Sequence, residues 1–324
     1  MQGLFKPVLA IALLGGSGGV LAQNPYGEVT VPFEIKQAPD APVYYTVGFT
    51  GVPDADNQGH TSNAGFVITG DGVVAYDALG TPALGYRLLQ AIRERTDEPV
   101  KKVIAGHYHA DHIYGLQAFR EHTDAEIVAQ ANAMQYVNGE GAQRRLQQRS
   151  QALFPWVDED TYIVEPDTLF EARHRFTIGG QGFEVLNAGP AHSPSDAIMV
   201  IEDTGVIFVG DIVFDGRLPF LGDDVDTNIW LEQLEYLSNM EPRPRFIIPG
   251  HGQATKDAQD AIAFTRGYIQ FLREQMGEAV QDFVPFGQAY EQVDWSRYRD
   301  VPTFDAANRS NAYSVYLEME SELF

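Results

Sequence analysis

The sequence predicts an α+β protein in which layered β-sheets are covered by helices and followed by a helical C-terminal extension. Strands occur both in hairpins and beside crossover helices, a mixture typical of sheets packed in layers with helices outside. The apolar fraction of 44% is ordinary for a globular protein, and no low-complexity block or linker divides the chain. We therefore expect one compact domain over residues 23–253, with a helical extension over residues 254–324 packed on it.

The first half of this domain is expected to contain strands, a hairpin and a helix. The expected elements are strands over 28–35 and 43–50, a hairpin over 66–77, a helix over 81–96 and a strand over 100–106. The hairpin is predicted because two apolar runs flank the turn sequence at 70–72. Thr81 is a suitable N-cap for the helix, and Pro82 suits its first helical position.

The second half repeats this alternation. The expected elements are a strand over 126–130, an interrupted helix over 130–150, a hairpin over 173–190, strands over 197–203 and 206–211, a helix over 227–240 and a strand over 245–250. Glycines at 139 and 141 interrupt the first helix, and a Gly-Gly pair marks the hairpin turn. The tail from Ala254 is expected to be mostly helical, with a proline-containing loop near 284–303.

Residues 1–22 predict a secretory signal peptide. A single cation, Lys6, precedes an apolar run, and small residues end at Ala22, where cleavage is expected. The alternative is a membrane anchor, but the run is broken by Gly15 and Gly16 and is short for a bilayer. We therefore expect a periplasmic or secreted protein without stable membrane insertion after cleavage.

Cysteine content and charge restrict the possible chemistry and partners. The chain has no cysteine, so it forms no disulfide, and a metal site would have to use imidazole and carboxylate ligands. The net charge of −23 would repel nucleic acid and anionic membranes. A small-molecule substrate is expected rather than nucleic acid, and the oligomeric state stays open.

The segment GHYHADHIYG (106–115) places His107, His109, Asp111 and His112 within six positions, directly after a predicted strand. Residues two apart in an extended segment project to the same side, so the first two histidines could reach one metal ion. Asp111 and His112 follow where the chain turns into a helix, so they would point to a position beside the first metal ion. This spacing suggests a second metal.

Three further ligand-type residues lie at the ends of other predicted strands. His192 follows the strand of the second hairpin, Asp211 ends the strand over 206–211, and His251 follows the strand over 245–250. Loops at strand ends commonly gather to form sites. Imidazole and carboxylate ligands suit Zn²⁺, and iron or manganese remains possible. We therefore expect a site for two zinc ions, which would make water a nucleophile near neutral pH.

These motifs resemble those of the metallo-β-lactamase superfamily over about residues 44 to 252. The resemblance rests on Asp77 in VVAYDALG, the HxHxDH segment, and the isolated residues His192, Asp211 and His251. It implies a four-layer αββα sandwich with its metal site at the sheet edges. It also implies a role for each ligand: His107, His109 and His192 would hold one metal, Asp111, His112 and His251 the other, and Asp211 would bridge them. Asp77 would orient a ligand, although a role as a turn acceptor is the alternative.

The ligand set is similar to that of the glyoxalase II type and differs from that of the cysteine-containing β-lactamases. The segments GDIVFDGRLPFLGD and NRSNAYSVYLEMESEL and the helix with Trp230 resemble an exported subgroup. Members of that subgroup are associated with sulfur-oxidation and quinoprotein systems.

The predicted function is hydrolysis of an ester, thioester, lactone or amide by a metal-bridging hydroxide, with Asp111 as the catalytic residue that orients it. The alternative is a mononuclear iron persulfide dioxygenase, which needs only two histidines and one aspartate. A non-catalytic metal-binding protein is a third possibility. The flavodiiron pattern is disfavoured because it requires a glutamate where this chain has His109.

Three other residues have open roles at the level of sequence. Tyr114 could donate a hydrogen bond to an oxyanion or simply pack in the core. Arg217 could hold an anionic group or form a surface ion pair. His60 could lie over the site in a substrate-facing flap over 50–65, or be an ordinary loop residue.

Overall fold

The computed structural model describes residues 23–222 and 224–323, so the predicted signal peptide lies outside the described residues. Seven strands form one sheet in sequence order: β1 Lys36–Gln37, β2 Val43–Thr46, β3 Ala64–Ile68, β4 Val73–Tyr76, β5 Val100–Ile104, β6 Glu126–Gln130 and β7 Thr168–Phe170. The pairs from β1 to β4 are antiparallel, and those from β4 to β7 are parallel.

Five strands form the second sheet, in the spatial order β12-β11-β10-β9-β8: β8 Arg173–Ile178, β9 Gln181–Asn187, β10 Ala197–Ile201, β11 Val206–Asp215 and β12 Phe246–Gly252. The β11–β12 pair is parallel, and the other pairs are antiparallel. Because β11 and β12 run in parallel, their carboxyl ends meet at the same edge of the sheet.

Helices cover both sheets. They are α1 Pro82–Arg93, α2 Ala110–Ile113, α3 Leu116–His122, α4 Ala133–Val137, α5 Glu140–Ala152, α6 Thr227–Ser238, α7 Ala258–Gln281, α8 Phe286–Gln292 and α9 Phe304–Leu323. The predicted start of α1 is confirmed, because the Thr81 hydroxyl accepts a hydrogen bond from the Leu84 amide at 3.2 Å and Pro82 opens the helix. No helix in the described residues is long and apolar enough to cross a membrane.

Three apolar clusters separate four layers. On β4, Val74 and Tyr76 face the second sheet, whereas Val73 and Ala75 face α1 and α3. The outer face of the second sheet packs on α6, α7 and α9 through a third cluster that includes Trp230. Alternation of side chains along each strand lets one sheet contribute to two of these clusters. The predicted α+β class with an αββα sandwich is confirmed.

The C-terminal helices pack directly on the strand that carries Asp211. Thr265 of α7 accepts a hydrogen bond from the Phe214 amide at 3.0 Å and donates one to the Phe214 carbonyl at 3.1 Å. These contacts replace sheet hydrogen bonds where β11 becomes irregular. The residues beyond 254 therefore support the second sheet at the end where β11 and β12 meet. The domain boundary at residue 253 stays a prediction.

Some expected elements are wrong or shifted. Segment 28–35 forms no strand, and the first strand is β1. Pro32 has no amide proton for a ladder, and this segment instead contacts the 58–60 loop, where Thr30 hydrogen-bonds with Gln58. The expected loop near 284–303 contains α8 and a short 3₁₀ helix at Trp295–Arg297.

Candidate metal centre

The HxHxDH segment follows β5 and turns into α2, as the sequence predicts. His109 occupies the N-cap position of α2, so the chain changes from extended to helical between the two pairs of ligand candidates. Gly106 is required before this turn, since a Cβ there would clash with the Tyr76 hydroxyl. His107 and His112 are buried, whereas His109 and Asp111 are partly exposed. The open side of the centre therefore lies at these last two residues.

His107, His109 and His192 converge on one point. Nδ1 of His109 lies 3.0 Å from Nε2 of His107 and 3.0 Å from Nε2 of His192. One nitrogen carries at most one proton, so it cannot donate to both partners at once. Three imidazole nitrogens grouped in this way fit a shared cation better than a hydrogen-bond network.

Asp111, His112 and His251 form a second group beside the first. Nε2 of His251 lies 3.3 Å from Oδ2 of Asp111 and 3.4 Å from Nε2 of His112. Oδ2 of Asp111 lies 3.8 Å from Nε2 of His112. Two nitrogens and one carboxylate oxygen are therefore within reach of a second cation.

Asp211 lies between the two groups. Its Oδ2 is 3.3 Å from Nε2 of His192 and 3.3 Å from Nε2 of His251, and its Oδ1 is 3.4 Å from Nε2 of His112. Oδ1 is buried and has no hydrogen-bond partner among the described residues. A buried carboxylate oxygen without a partner is costly, which also fits a cation at this point.

The strands bring Asp211 and His251 together in a way that differs from the sequence prediction. Both residues lie within their strands rather than at the ends, because β11 continues to Asp215 and β12 to Gly252. The register of β11 against β12 shifts on either side of Gly210, which has a φ of 53°. Such a bulge redirects side chains locally and turns Asp211 towards the histidines.

Hydrogen bonds behind the histidines set their ring orientation. Nδ1 of His112 contacts Oδ2 of Asp77 at 2.8 Å, and Nδ1 of His251 contacts the Thr61 carbonyl at 2.7 Å. Each Nδ1 therefore carries a proton, which leaves the Nε2 lone pair directed into the site. Asp77 also accepts a hydrogen bond from the Gly106 amide at 2.7 Å. Asp77 therefore contacts the His112 ring, as the resemblance implies, and also accepts a hydrogen bond from a backbone amide, as the alternative expects.

Asp77→Asn is expected to weaken zinc affinity by about 10–100-fold, because the carboxylate holds the His112 ring and raises its basicity. Asp77 has a φ of 58°, a conformation that asparagine tolerates, so the backbone should be retained. Zinc affinity would be measured by competition with a chromophoric chelator. Asp71→Asn, in the exposed hairpin turn, is the control, and equal affinity of the two variants would contradict the orienting role.

Burial and neighbouring charges shift the pKa values of the candidate ligands in ways that favour a bound cation. Burial opposes ionisation of Asp211, but the surrounding histidines hold its pKa well below the usual range. Burial lowers the pKa of His192 to about 3, which leaves a neutral ring with a free lone pair. Although burial acts in the opposite direction, Asp211, Asp77 and Asp111 raise the pKa of His112 to about 10. A metal ion at this position would take the place of that proton.

Several residues that support the site were not predicted from the sequence. The Ser62 hydroxyl donates to the Asp111 carbonyl at 2.5 Å, and the Asn63 amide donates to the carbonyls of Pro249 and Gly252 on either side of His251. These bonds cross long sequence distances. One indication in the sequence that Ser62 and Asn63 support the centre is their location in the polar, glycine-containing loop over 50–65.

The loop that carries His192 is held by a buried carboxylate. Asp196 accepts hydrogen bonds from the Ser193 amide at 2.8 Å and the Ser193 hydroxyl at 2.7 Å. Burial raises the pKa of Asp196 to about 7. Both residues lie in the segment that the sequence predicted as a ligand loop, but their pairing could not be read from it.

The structure shows where the three remaining candidates, Tyr114, Arg217 and His60, lie. Tyr114 is fully buried in the core under α1 and α3, which favours packing. Arg217 is 2% exposed, so the surface ion pair is wrong, and its Nη1 lies 3.2 Å from Nδ1 of His251. His60 is buried and stacks on Phe33, and burial lowers its pKa to about 4. It is therefore an internal packing residue of the 50–65 loop.

Comparisons with known proteins agree with this arrangement. The family described as the metallo-beta-lactamase superfamily matches residues 58–251, which include every candidate ligand. A probable metallo-hydrolase, YqgX of Bacillus subtilis, is 25% identical over 217 residues, 64% of this chain and 93% of that protein. The hydroxyacylglutathione hydrolase GloC of Haemophilus influenzae is 27% identical over 182 residues, 54% of this chain and 78% of that protein.

A similar solved structure is the stereoselective inverting sec-alkylsulfatase Pisa1 from Pseudomonas sp., with a TM-score of 0.65 and 17% identity. The match covers 86% of this chain but 49% of that chain, so this chain spans about half of the alkylsulfatase. At this identity the likeness shows the fold alone. The prediction of a metal-dependent hydrolase is confirmed at the level of the superfamily. The family match and the two layered sheets together show that the chain belongs to the metallo-β-lactamase superfamily.

Proposed function

We propose that the chain is a dinuclear zinc hydrolase that cleaves an ester, thioester, lactone or amide bond. The observation that carries this proposal is the position of Asp211 within 3.3–3.4 Å of histidines from both ligand groups. A carboxylate in that position suits a bridge between two ions, and two ions roughly 3.5–4 Å apart suit hydrolysis. The seven proposed ligands are His107, His109, Asp111, His112, His192, Asp211 and His251.

The chain's own residues would each have a defined task. Two bound zinc ions would supply an ionised water nucleophile and polarise the scissile carbonyl. Asp111 has a side chain that is 20% exposed, so it lies where it can orient water and accept its proton. When that nucleophile adds to the carbonyl carbon, the bond to oxygen, sulfur or nitrogen would break, and Asp111 would pass the proton on to the leaving group. Asp77 and the Thr61 carbonyl keep the rings of His112 and His251 aligned throughout.

Metal analysis combined with a substrate panel tests this proposal. We expect about two zinc ions per chain by mass spectrometry and hydrolysis of at least one class among lactones, thioesters, carboxylic esters, amides and β-lactams. The names of the relatives make acylglutathione thioesters and alkyl sulfates useful additions. One iron per chain with oxygen uptake, and no hydrolysis, would instead support the persulfide dioxygenase. Stable zinc binding with neither activity would indicate a non-catalytic protein.

Export to the periplasm or medium is also proposed, from the pattern of residues 1–22. Expression of the full chain in a Gram-negative host, followed by cell fractionation and N-terminal sequencing, tests it. We expect a product in the periplasm or the medium that begins at Gln23. A cytoplasmic product that retains residues 1–22 would contradict export.

A further inference from the structure

The carboxyl-terminal end of β11 is held by helix α7 as well as by a neighbouring strand. The pairing of β10 with β11 ends at Phe208, so at Phe214 the ladder continues with β12 alone. There, the Thr265 hydroxyl accepts a hydrogen bond from the Phe214 amide at 3.0 Å and donates one to the Phe214 carbonyl at 3.1 Å. Thr265 is fully buried, so its loss would leave these backbone groups without a partner. The Phe214 backbone therefore depends on one hydroxyl of the C-terminal extension.

The Phe214 ring lies against one histidine from each group of candidate ligands. Phe214 is paired with His251 across the β11–β12 ladder, and the two rings are nearly parallel, with centroids 5.6 Å apart and an interplanar angle of 6°. The centroid of the His192 ring lies 6.1 Å from that of Phe214. His251 belongs to the group of Asp111, whereas His192 belongs to the group of His107. A displacement of Phe214 would therefore disturb both ion positions.

The His192 ring is oriented by packing rather than by a hydrogen bond. Its Nδ1 is buried and has no hydrogen-bond partner among the described residues, unlike Nδ1 of His112 and of His251. Histidines that bind a metal ordinarily obtain their orientation from such a bond. Outside the ligand groups, the described rings beside His192 are those of Trp230, with centroids 5.4 Å apart, and of Phe214. These two contacts therefore set the direction in which Nε2 of His192 points.

We propose that Thr265 and Phe214 are positioning residues of the metal centre. The Thr265 hydroxyl fixes the Phe214 backbone, and the Phe214 ring keeps His192 and His251 directed at the two ions. The C-terminal helices thus take part in metal binding, although every candidate ligand precedes residue 254. This role requires the metal centre but no particular reaction, so it goes beyond the proposed hydrolase function. Groups that orient metal ligands contribute about 10–100-fold to metal affinity, and we expect an effect in that range from each residue.

The zinc affinity of the full chain, measured by competition with a chromophoric chelator, tests this role. Thr265→Val keeps the shape of the side chain but removes the hydroxyl, and both zinc dissociation constants should rise by about tenfold or more. Thr265→Ser restores the hydroxyl and should bind zinc as wild type does. In the cobalt-substituted protein, the d–d absorption bands report the ligand geometry. These bands should shift in Thr265→Val and return to their wild-type positions in Thr265→Ser.

Phe214→Leu tests the ring directly and leaves the backbone bonds to Thr265 in place. Leucine is apolar but lacks the flat face that lies parallel to the His251 ring. Both zinc dissociation constants should therefore again rise by about tenfold. If Thr265→Val does not fold, Phe214→Leu decides the outcome by itself.

Met276→Ala is the matched control, because Met276 is fully buried on the same helix as Thr265 but lies about 16 Å further along it. It should lower the melting temperature yet retain the wild-type zinc affinity and cobalt spectrum. Equal weakening of zinc binding in Met276→Ala and Thr265→Val would reflect a general loss of stability and overturn the positioning role. Wild-type zinc affinity in folded Thr265→Val or Phe214→Leu would also overturn it. If wild type binds two zinc ions but hydrolyses nothing, only the hydrolase proposal fails, because the zinc affinities still decide the positioning role.

Discussion

Asp211→Asn is expected to lower zinc occupancy below one ion per chain and to reduce kcat/KM by more than about a hundredfold. Residues that only orient a ligand contribute about 10–100-fold, so a carboxylate that contacts both groups should contribute more. Oδ2 of Asp211 lies 3.3 Å from His192 and from His251, and Oδ1 lies 3.4 Å from His112. The amide keeps the shape but removes the charge that would neutralise two cations. Zinc content would be measured by mass spectrometry and activity with a substrate from the panel.

Asp215→Asn provides the control for this experiment. Asp215 ends the same strand, β11, and is only partly buried. The same substitution there should leave zinc content and kcat/KM within about twofold of wild type, as is usual away from a site. A zinc-replete and fully active Asp211→Asn protein would overturn the proposed bridging role.

Trp230→Ala is expected to lower the free energy of unfolding by about 3–5 kcal/mol, the usual cost of truncating a buried tryptophan. Trp230 is fully buried on α6, and its Nε1 donates to the Ile212 carbonyl at 2.8 Å. Its ring centroid lies 5.4 Å from that of His192. The variant should therefore lose both a core contact and the support of one ligand. Urea denaturation monitored by circular dichroism measures the change.

Tyr236→Ala on the same helix is the control, because Tyr236 is 48% exposed. It should change the free energy of unfolding by less than about 1 kcal/mol. A similar value for Trp230→Ala would mean that the core closes over the cavity without cost. Zinc affinity measured in parallel would show whether the His192 position is disturbed as well as the core.

Much of the architecture could be predicted from local pattern. The hairpins around Gly70–Gly72 and Gly179–Gly180 and the capped start of α1 were predicted correctly. In each case the decisive information lies within a few residues, in turn chemistry or in a cap. Segment 28–35 was predicted wrongly because its β-branched and aromatic residues favour a strand, but no neighbouring strand pairs with it. Strand propensity has effect only where a partner is present.

The candidate ligands could be found in the sequence for a different reason. Three histidines and an aspartate occur within six positions directly after an apolar strand, and the absence of cysteine removed the other common ligand. The resemblance to the superfamily, and not the sequence pattern alone, assigned each ligand to one of the two metal positions. In the structure, neighbouring ligand atoms of these side chains lie 3.0–4.0 Å apart.

Arg217 shows where local pattern was insufficient. An arginine in a glycine-containing loop is usually solvated, yet this one is buried behind His251. The loop that follows Arg217 is held by the C-terminal helix α9, where Asn311 donates to the Pro219 carbonyl at 2.8 Å and accepts from the Leu221 amide at 2.8 Å. No local pattern in the loop indicates a contact that lies some ninety residues away.

The amino-acid order was therefore enough to establish the type of secondary structure, the superfamily and the chemical nature of the ligands. These properties depend on turn residues, caps, hydrophobic period and side-chain identity, all of which act over short stretches of chain. The strand extensions through Asp211 and His251, the bonds from Thr61, Ser62 and Asn63, and the contact of α7 with β11 required the folded molecule. They arise from packing between segments far apart in the chain, whose geometry emerges only when both sheets and their helices are assembled.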